Sequence, residues 1–194
     1  MIQFVRMAIK STAMRKLTPD ELTERQARPR KEPRLPLYLV CENIRSLWNV
    51  GSMFRSADGA GIAKIFLCGY TAHPPRPEIT KTALGAEESV PWEAVGDPAK
   101  AIALLRREGI PVYVLEQTTA ARSIWDAPLR LPMGLVVGNE VEGVTPHLVS
   151  LADGALEIPL RGRKESLNVA VACGIALFEV ARRARLAGKL AGAI

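Results

Sequence analysis

From Leu37 onward, short apolar runs alternate with stretches whose apolar residues recur every three or four positions. Leu37–Cys41, Ile65–Cys68, Val112–Leu115, Leu135–Val137 and Ala155–Ile158 read as short, mostly apolar strands. Between them, Val50, Met53, Phe54, Ala57 and Gly61 mark one helix, with Gly61 placed to end it in the left-handed conformation. Ala99–Arg107 is a second helix. A long third helix carries the stripe Val169, Cys173, Leu177, Val180 and Ala184, with Ser166 predicted to cap it. Strands that are apolar on both faces and separated by helices predict an α/β protein: a mostly parallel sheet with helices on both sides.

The first 36 residues break this pattern. Thr18-Pro19-Asp20-Glu21 is a helix start, with a cap, proline at the first position and acids in the first turn. The Pro-rich run from Arg28 to Pro36 then reads as an extended link. The expected organisation is a basic arm and tether over 1–36 and one domain over 37–194.

Composition narrows the class. Apolar residues make up 48% and charged residues 24% of 194, which excludes wholesale disorder. No apolar run reaches the ~18 residues that a membrane-spanning helix needs, and the start lacks the pattern of a secretory signal. A cytoplasmic protein without a membrane partner is expected. The net charge of +6 is uneven: residues 1–36 hold nine Lys/Arg against four acids, and residues 160–194 hold seven against two. The intervening body is acidic. Basic ends on an acidic body suggest a polyanionic partner.

Several chemistries drop out. Cys41, Cys68 and Cys173 are widely spaced within apolar stretches and form no C-x-x-C pair, so they read as buried thiols. With only His73 and His147, a histidine-based triad or a metal site is not expected. Gly59-Ala60-Gly61 follows a helix and has Lys64 where a dinucleotide fingerprint needs its third glycine. Neither a P-loop nor a G-x-S-x-G elbow occurs.

Three segments carry more polar residues than packing needs. In the first, Asn49 suits the helix cap and Arg55 follows six residues later, just beyond a strand end. The carboxyl edge of an open parallel sheet is where ligands bind. In the second, the strand Leu135–Val137 runs directly into Gly138-Asn139-Glu140-Val141-Glu142-Gly143. In the third, Ile158-Pro159 leads through a basic glycine loop into Ser166-Leu167-Asn168-Val169, where a helix N-terminus favours an anionic group.

Together, and in this order, these segments resemble the SpoU/TrmH-type RNA 2′-O-ribose methyltransferases of the SPOUT superfamily. The family's motifs match Asn49 to Asp58, then Gly138, Glu140 and Gly143, then Ile158 to Ala172. The resemblance implies a C-terminal deep trefoil knot. It also implies S-adenosylmethionine held mostly by backbone groups near Leu115, Gly138, Ile158, Ser166 and Leu167. Arg55 matches the family's essential arginine. The resemblance implies that it either accepts the ribose proton or positions the neighbouring phosphate. As a normally protonated fork it is expected to clamp the phosphate and ease loss of the proton, with Asn49, Glu140, Ser166 and Asn168 orienting Arg55 and the ribose. Glu116-Gln117 departs from the small or hydroxyl residues expected beside the cofactor.

A homodimer without metal is expected. Ala170, Ala172, Gly174 and Ala176 permit close approach of a second copy, and the family's members pair near the knot. The substrate is expected to be RNA, with tRNA favoured over rRNA because the chain carries no large appended RNA-binding domain. The competing readings are a non-catalytic RNA-binding relative, methylation of a base rather than a ribose, and, more remotely, a small-molecule dehydrogenase.

Overall fold

The computed structural model describes residues 14–27 and 33–188, in two units divided between Pro33 and Arg34. The first contains α1 (Pro19–Ala27), started by a reciprocal capping box. The Glu21 N–H donates to the Thr18 hydroxyl (3.3 Å), and the Thr18 N–H donates to the Glu21 carboxylate (2.7 Å). Arg15 forks onto the same carboxylate at 2.8 and 2.7 Å. That ion pair, helped by the Thr18 N–H, lowers the Glu21 carboxyl to about 2.

The second unit runs β1 (Leu35–Glu42), α2 (Leu47–Ala60), β2 (Ile62–Cys68), α3 (Pro77–Ala83), α4 (Ala86–Ser89), β3 (Trp92–Val95) and α5 (Pro98–Arg107). It continues through β4 (Val112–Leu115), β5 (Arg122–Ser123), β6 (Met133–Val137), α6 (Pro146–Leu151), β7 (Gly154–Glu157) and α7 (Val169–Leu186). Seven strands form one sheet in the order β3-β2-β1-β6-β4-β7-β5, and every neighbouring pair is parallel. The α/β class and parallel sheet expected from the pattern are therefore present.

Two buried layers follow from the pleat. Along β1, Leu37, Leu39 and Cys41 face one core with α2, α3, α4 and α7, whereas Tyr38 and Val40 face the other with α5 and α6. Fully burying a leucine such as Leu37 or Leu39 contributes about 1.5–3 kcal/mol, which is why this central strand is apolar on both sides until its last residue, Glu42. Pro36 sits where the β1–β2 register shifts, the one kind of place in a central strand that accepts a residue without an N–H.

All five expected strands form, with ends shifted by up to three residues. Gly61 caps α2 with φ 69°, as expected. Two expected caps are corrected. Ser46, not Asn49, caps α2, leaving the Asn49 side chain for other work. Asn168, not Ser166, caps α7, its side-chain amide oxygen accepting from the Ala170 and Val171 N–H groups. The elements absent from the pattern are α3, α4, α6, β3 and β5. The helices and β5 are too short to show a period, α3 and α6 each begin at a proline, and Glu93 interrupts the apolar run of β3. The three cysteines are buried, and burial, with a lesser push from Glu42, raises the Cys68 thiol to about 12.

Helix α7 is fastened by a charged knot of its own. Glu179, 7% exposed, accepts from Arg182 and Arg183, while Arg183 also donates to the carbonyls of Ile124, Trp125 and Ala127 beside β5. The Arg182 hydrogen bonds are the main cause that holds the Glu179 carboxyl at about 2, below its ordinary 4.5; Arg183 adds to them and burial opposes. A depressed folded pKa means a contribution present above the unfolded value and lost as pH falls from about 4.5 towards 2. Glu179→Gln is expected to lower the melting temperature at pH 7 and to make little difference near pH 2. A deficit of equal size at both, measured by calorimetry, would assign the effect to packing.

Candidate functional site

Four adjacent central strands, β1, β6, β4 and β7, end on the same edge of the sheet and deliver their following loops to one place. The loop after β1 is set by buried polar contacts. Thr71 accepts from the Ile44 N–H (2.9 Å) and donates to the Cys41 carbonyl (3.1 Å). Glu42, 2% exposed, accepts from both the N–H (3.0 Å) and the hydroxyl (2.7 Å) of Thr145, the residue that caps α6.

Glu140 joins the loop after β6 to the start of α2. One carboxylate oxygen accepts from the Ser46 N–H (2.9 Å) and the Asn49 amide (2.8 Å), and the other accepts from the Arg45 N–H (2.9 Å). Burial pushes this carboxyl upward, but these donors outweigh it, so its pKa is net lowered. Glu140 is a fixed anion at a helix N-terminus, the place where negative charge is favoured. The Asn49 side-chain oxygen in turn accepts from the Asn168 side-chain amide at 3.2 Å. Two residues 119 positions apart are thereby joined, and α2 and α7 are linked at their N-termini.

Beside this chain of bonds lies a cleft of about 480 Å³, formed by the loops at 115–117, 137–143, 157–160 and 166–169. Leu115, Gly138, Glu140, Ile158, Ser166, Leu167 and Asn168 all line it. Gly138 is required by a close approach. A Cβ there would lie 2.2 Å from the Gly143 carbonyl group, because Asn139 and Gly143 pair through two backbone hydrogen bonds of 3.0 Å. Glu116, which departs from the family's pattern, ties the walls together: it accepts from the Val144 N–H (2.9 Å) and the Gln117 N–H (2.8 Å). Gln117 donates to the Glu165 carbonyl at 2.5 Å. The lining holds four carboxylates, Glu116, Glu140, Glu142 and Glu157, and no lysine or arginine among the described residues.

Arg55 is not part of this cluster. It lies six residues beyond Asn49 on α2, about 9 Å along the axis. It is exposed and lines a shallower depression with Ser52, Ser56, Lys81, Thr82 and Phe178. Asn49, Glu140 and Asn168 bond one another rather than Arg55, and Ser166 stands exposed at the cleft. The small-residue stripe of α7 is also spent inside the molecule. Ala170 and Ala176 are buried in the core shared with α2, and a Cβ on Gly174 would lie 3.2 Å from the Ser56 hydroxyl. The exposed apolar residues on α7 are instead Val171, Phe178 and Leu186. In the basic head, Arg6, Lys10, Arg28, Arg30 and Lys31 lie outside the described residues. Arg34 is pinned in the body by the carbonyls of Ile62 and Ser89.

The sequence left Glu42, Glu116 and Asn139 unremarked as site builders. Each bonds backbone groups that only the sheet order brings near it, and Gly138-Asn139 looks like an ordinary structural turn.

Comparison with known proteins agrees with these motifs. The model of the SpoU rRNA methylase family matches residues 36–178. The 23S rRNA (guanosine-2′-O-)-methyltransferase RlmB of Vibrio parahaemolyticus is 36% identical over 154 residues, covering 79% of this chain and 62% of its own. Its counterpart in Xanthomonas axonopodis is 33% identical over 147 residues, covering 76% and 59%. The chain thus spans about three-fifths of the length of these curated relatives. Among solved structures, a TrmH/SpoU tRNA modifying enzyme from A. aeolicus superposes with a TM-score of 0.74 at 26% identity, covering 81% of this chain and 80% of that one. An AdoMet-bound rRNA methyltransferase from Sinorhizobium meliloti gives 0.70 at 28% identity, covering 78% and 58%. With one family model covering most of its length, the chain belongs to the SpoU rRNA methylase family.

Proposed function

We propose that the protein transfers a methyl group from S-adenosylmethionine to a ribose 2′-hydroxyl of RNA. The observation that carries this reading is the cleft itself: the second and third motif segments converge on it with the loop after β4, and the Asn49–Glu140–Asn168 chain of hydrogen bonds ties the first motif to its border. Its residues suit the cofactor. The volume is that of a small-molecule site, and the all-carboxylate charge of the lining matches a ligand bearing a sulfonium and an ammonium group. Leu115, Gly138, Ile158, Ser166 and Leu167 would hold it, largely through backbone groups. When bound, the cofactor supplies an electrophilic methyl on sulfur. The knot implied by the sequence resemblance belongs to this reading, since it would bring the three loops together.

The rest is done by the chain. Glu140 and Asn168 fix the ends of α2 and α7, so that the helix surface carrying Arg55 keeps one position relative to the cleft. Arg55 and Lys81 are the phosphate contacts, holding the backbone beside the target ribose and stabilising the oxyanion as its proton passes to solvent water. Ribosomal RNA replaces the transfer RNA expected from the sequence. The family model and the curated relatives carry ribosomal names.

A homodimer is retained in this reading, but through a different surface. Val171 and Phe178, each 52% exposed, lie seven residues apart on one face of α7 and would meet their copies across a two-fold axis. Light scattering is expected to give a dimer for the native chain and a monomer for Phe178→Glu; a native monomer at micromolar concentration overturns it.

The activity is tested by incubating the protein with S-adenosylmethionine and unmodified 23S rRNA transcript, then digesting to nucleosides for mass analysis. A 2′-O-methylnucleoside is expected; a methylated base, or none, rejects the reading. Arg55→Ala is expected to reduce transfer by about 10²-fold or more while cofactor affinity stays within about twofold. Gly138→Ala should do the converse first, weakening cofactor binding about tenfold or more by forcing apart the 138–144 loop. Calorimetry with the cofactor alone separates the two.

A further inference from the structure

Tyr70 is built in an unusual way. It follows Gly69 at the carboxyl end of β2, and its side chain is 61% exposed. Yet it is held at both ends. Its N–H donates to the Asn43 side-chain oxygen (3.2 Å), and its phenol oxygen accepts from the Asn139 amide (2.7 Å). Both partners are themselves fixed. Asn43 adopts φ 54°, a left-handed conformation uncommon outside glycine, with its amide oxygen in the space that a Cβ on residue 69 would need. Asn139 is 7% exposed; its other amide bond goes to the Asn43 carbonyl, and its oxygen accepts from the Val141 and Glu142 N–H groups.

A tyrosine that serves only as a strut normally buries its ring and satisfies its hydroxyl inside. Here the hydroxyl is anchored in the cleft wall, while most of the ring stays open to solvent. The anchor is the residue next to Glu140, so the ring is fixed in register with the Asn49–Glu140–Asn168 chain. Arg45, whose N–H is taken by Glu140, leaves an exposed guanidinium with no hydrogen bond among the described residues. A flat, immobilised aromatic face held by Asn43 and Asn139, and an unengaged arginine whose backbone is held by the adjacent Glu140, offer what an unstacked nucleotide requires: a surface for its base and a donor fork for its phosphate.

We propose that Tyr70 is a stacking platform for a nucleobase of the RNA, at or next to the nucleotide whose ribose enters the cleft, with Arg45 contacting the adjoining phosphate. This rests on the RNA reading above but adds a subsite to it. Holding the ring by its hydroxyl removes rotamer freedom before the base arrives, so less ordering is needed on binding.

The test uses filter binding and methylation of 23S rRNA transcript by the full-length chain with Tyr70→Phe, Tyr70→Trp and Tyr70→Leu, with melting temperature and cofactor calorimetry as controls of folding. Tyr70→Leu is expected to weaken RNA binding by about 5- to 100-fold, as loss of one base–aromatic stack does. Tyr70→Trp should retain most of the affinity, and Tyr70→Phe should stay within a few-fold. Cofactor affinity should be unchanged in all three. Native affinity in Tyr70→Leu overturns the proposal. So does a Tyr70→Phe variant as impaired as Tyr70→Leu, which would make the Asn139 bond, not the ring, the point of the residue. Failure of the native chain to methylate RNA would instead reject the enzymatic reading, and the binding series would still decide whether Tyr70 stacks a base.

Discussion

The arrangement depends on one carboxylate. Glu140 leaves the end of β6 and takes three donors from the segment that starts α2: two backbone N–H groups and the Asn49 amide. A helix N-terminus has unpaired N–H groups and a positive dipole end, and a half-buried anion satisfies both at once. Because the bonds outweigh burial and keep the carboxyl below its ordinary value, Glu140 stays an anion at neutral pH. Its three donors make it the anchor between the two segments.

From that anchor the site extends in two directions. Asn49, released from capping by Ser46, hands the connection to Asn168, which caps α7 with one end of its amide and reaches α2 with the other. On the opposite side, Asn139 and Glu116 fix the hairpin at Gly138–Gly143 against the loops after β1 and β4. Hydrogen bonds to backbone groups dominate throughout. Such contacts fix loop shape while leaving the lining available to a ligand, and they suit a cofactor recognised by main-chain atoms more than by a side-chain signature.

The charges sort with this geometry. The cleft is lined by carboxylates, while Arg45, Arg55 and Lys81 stand exposed outside it. A cationic cofactor and an anionic polymer would thus meet surfaces of opposite sign within one small region, with Tyr70 between the cleft wall and solvent. Arg34 is excluded from any such role by its carbonyl bonds to Ile62 and Ser89.

What the sequence determined by itself was the class of fold and the residues of the motifs. Alternation of apolar strands with 3.6-period helices is a local property, and it located β1, β2, β4, β6 and β7 and the helices α2, α5 and α7. Leu37, Val40, Val112 and Val136 announce a sheet covered on both faces without any knowledge of strand order. The tertiary structure alone decided which residues meet. Asn49 and Ser166 both looked like caps, because serine and asparagine satisfy a helix start equally well. Only the approach of β6 to β1 puts Glu140 within reach of Asn49 and so moves the cap to Ser46. The same order brings Glu42 to Thr145 and Glu116 to Val144. The small stripe on α7 read as a surface for a second copy, yet Ala170 and Ala176 are buried in the core shared with α2, Gly174 lies against Ser56 and Ala172 lines the cleft. Periodicity records that a face is small or apolar but not which partner covers it, because that partner is chosen by long-range strand order rather than by near neighbours in the chain.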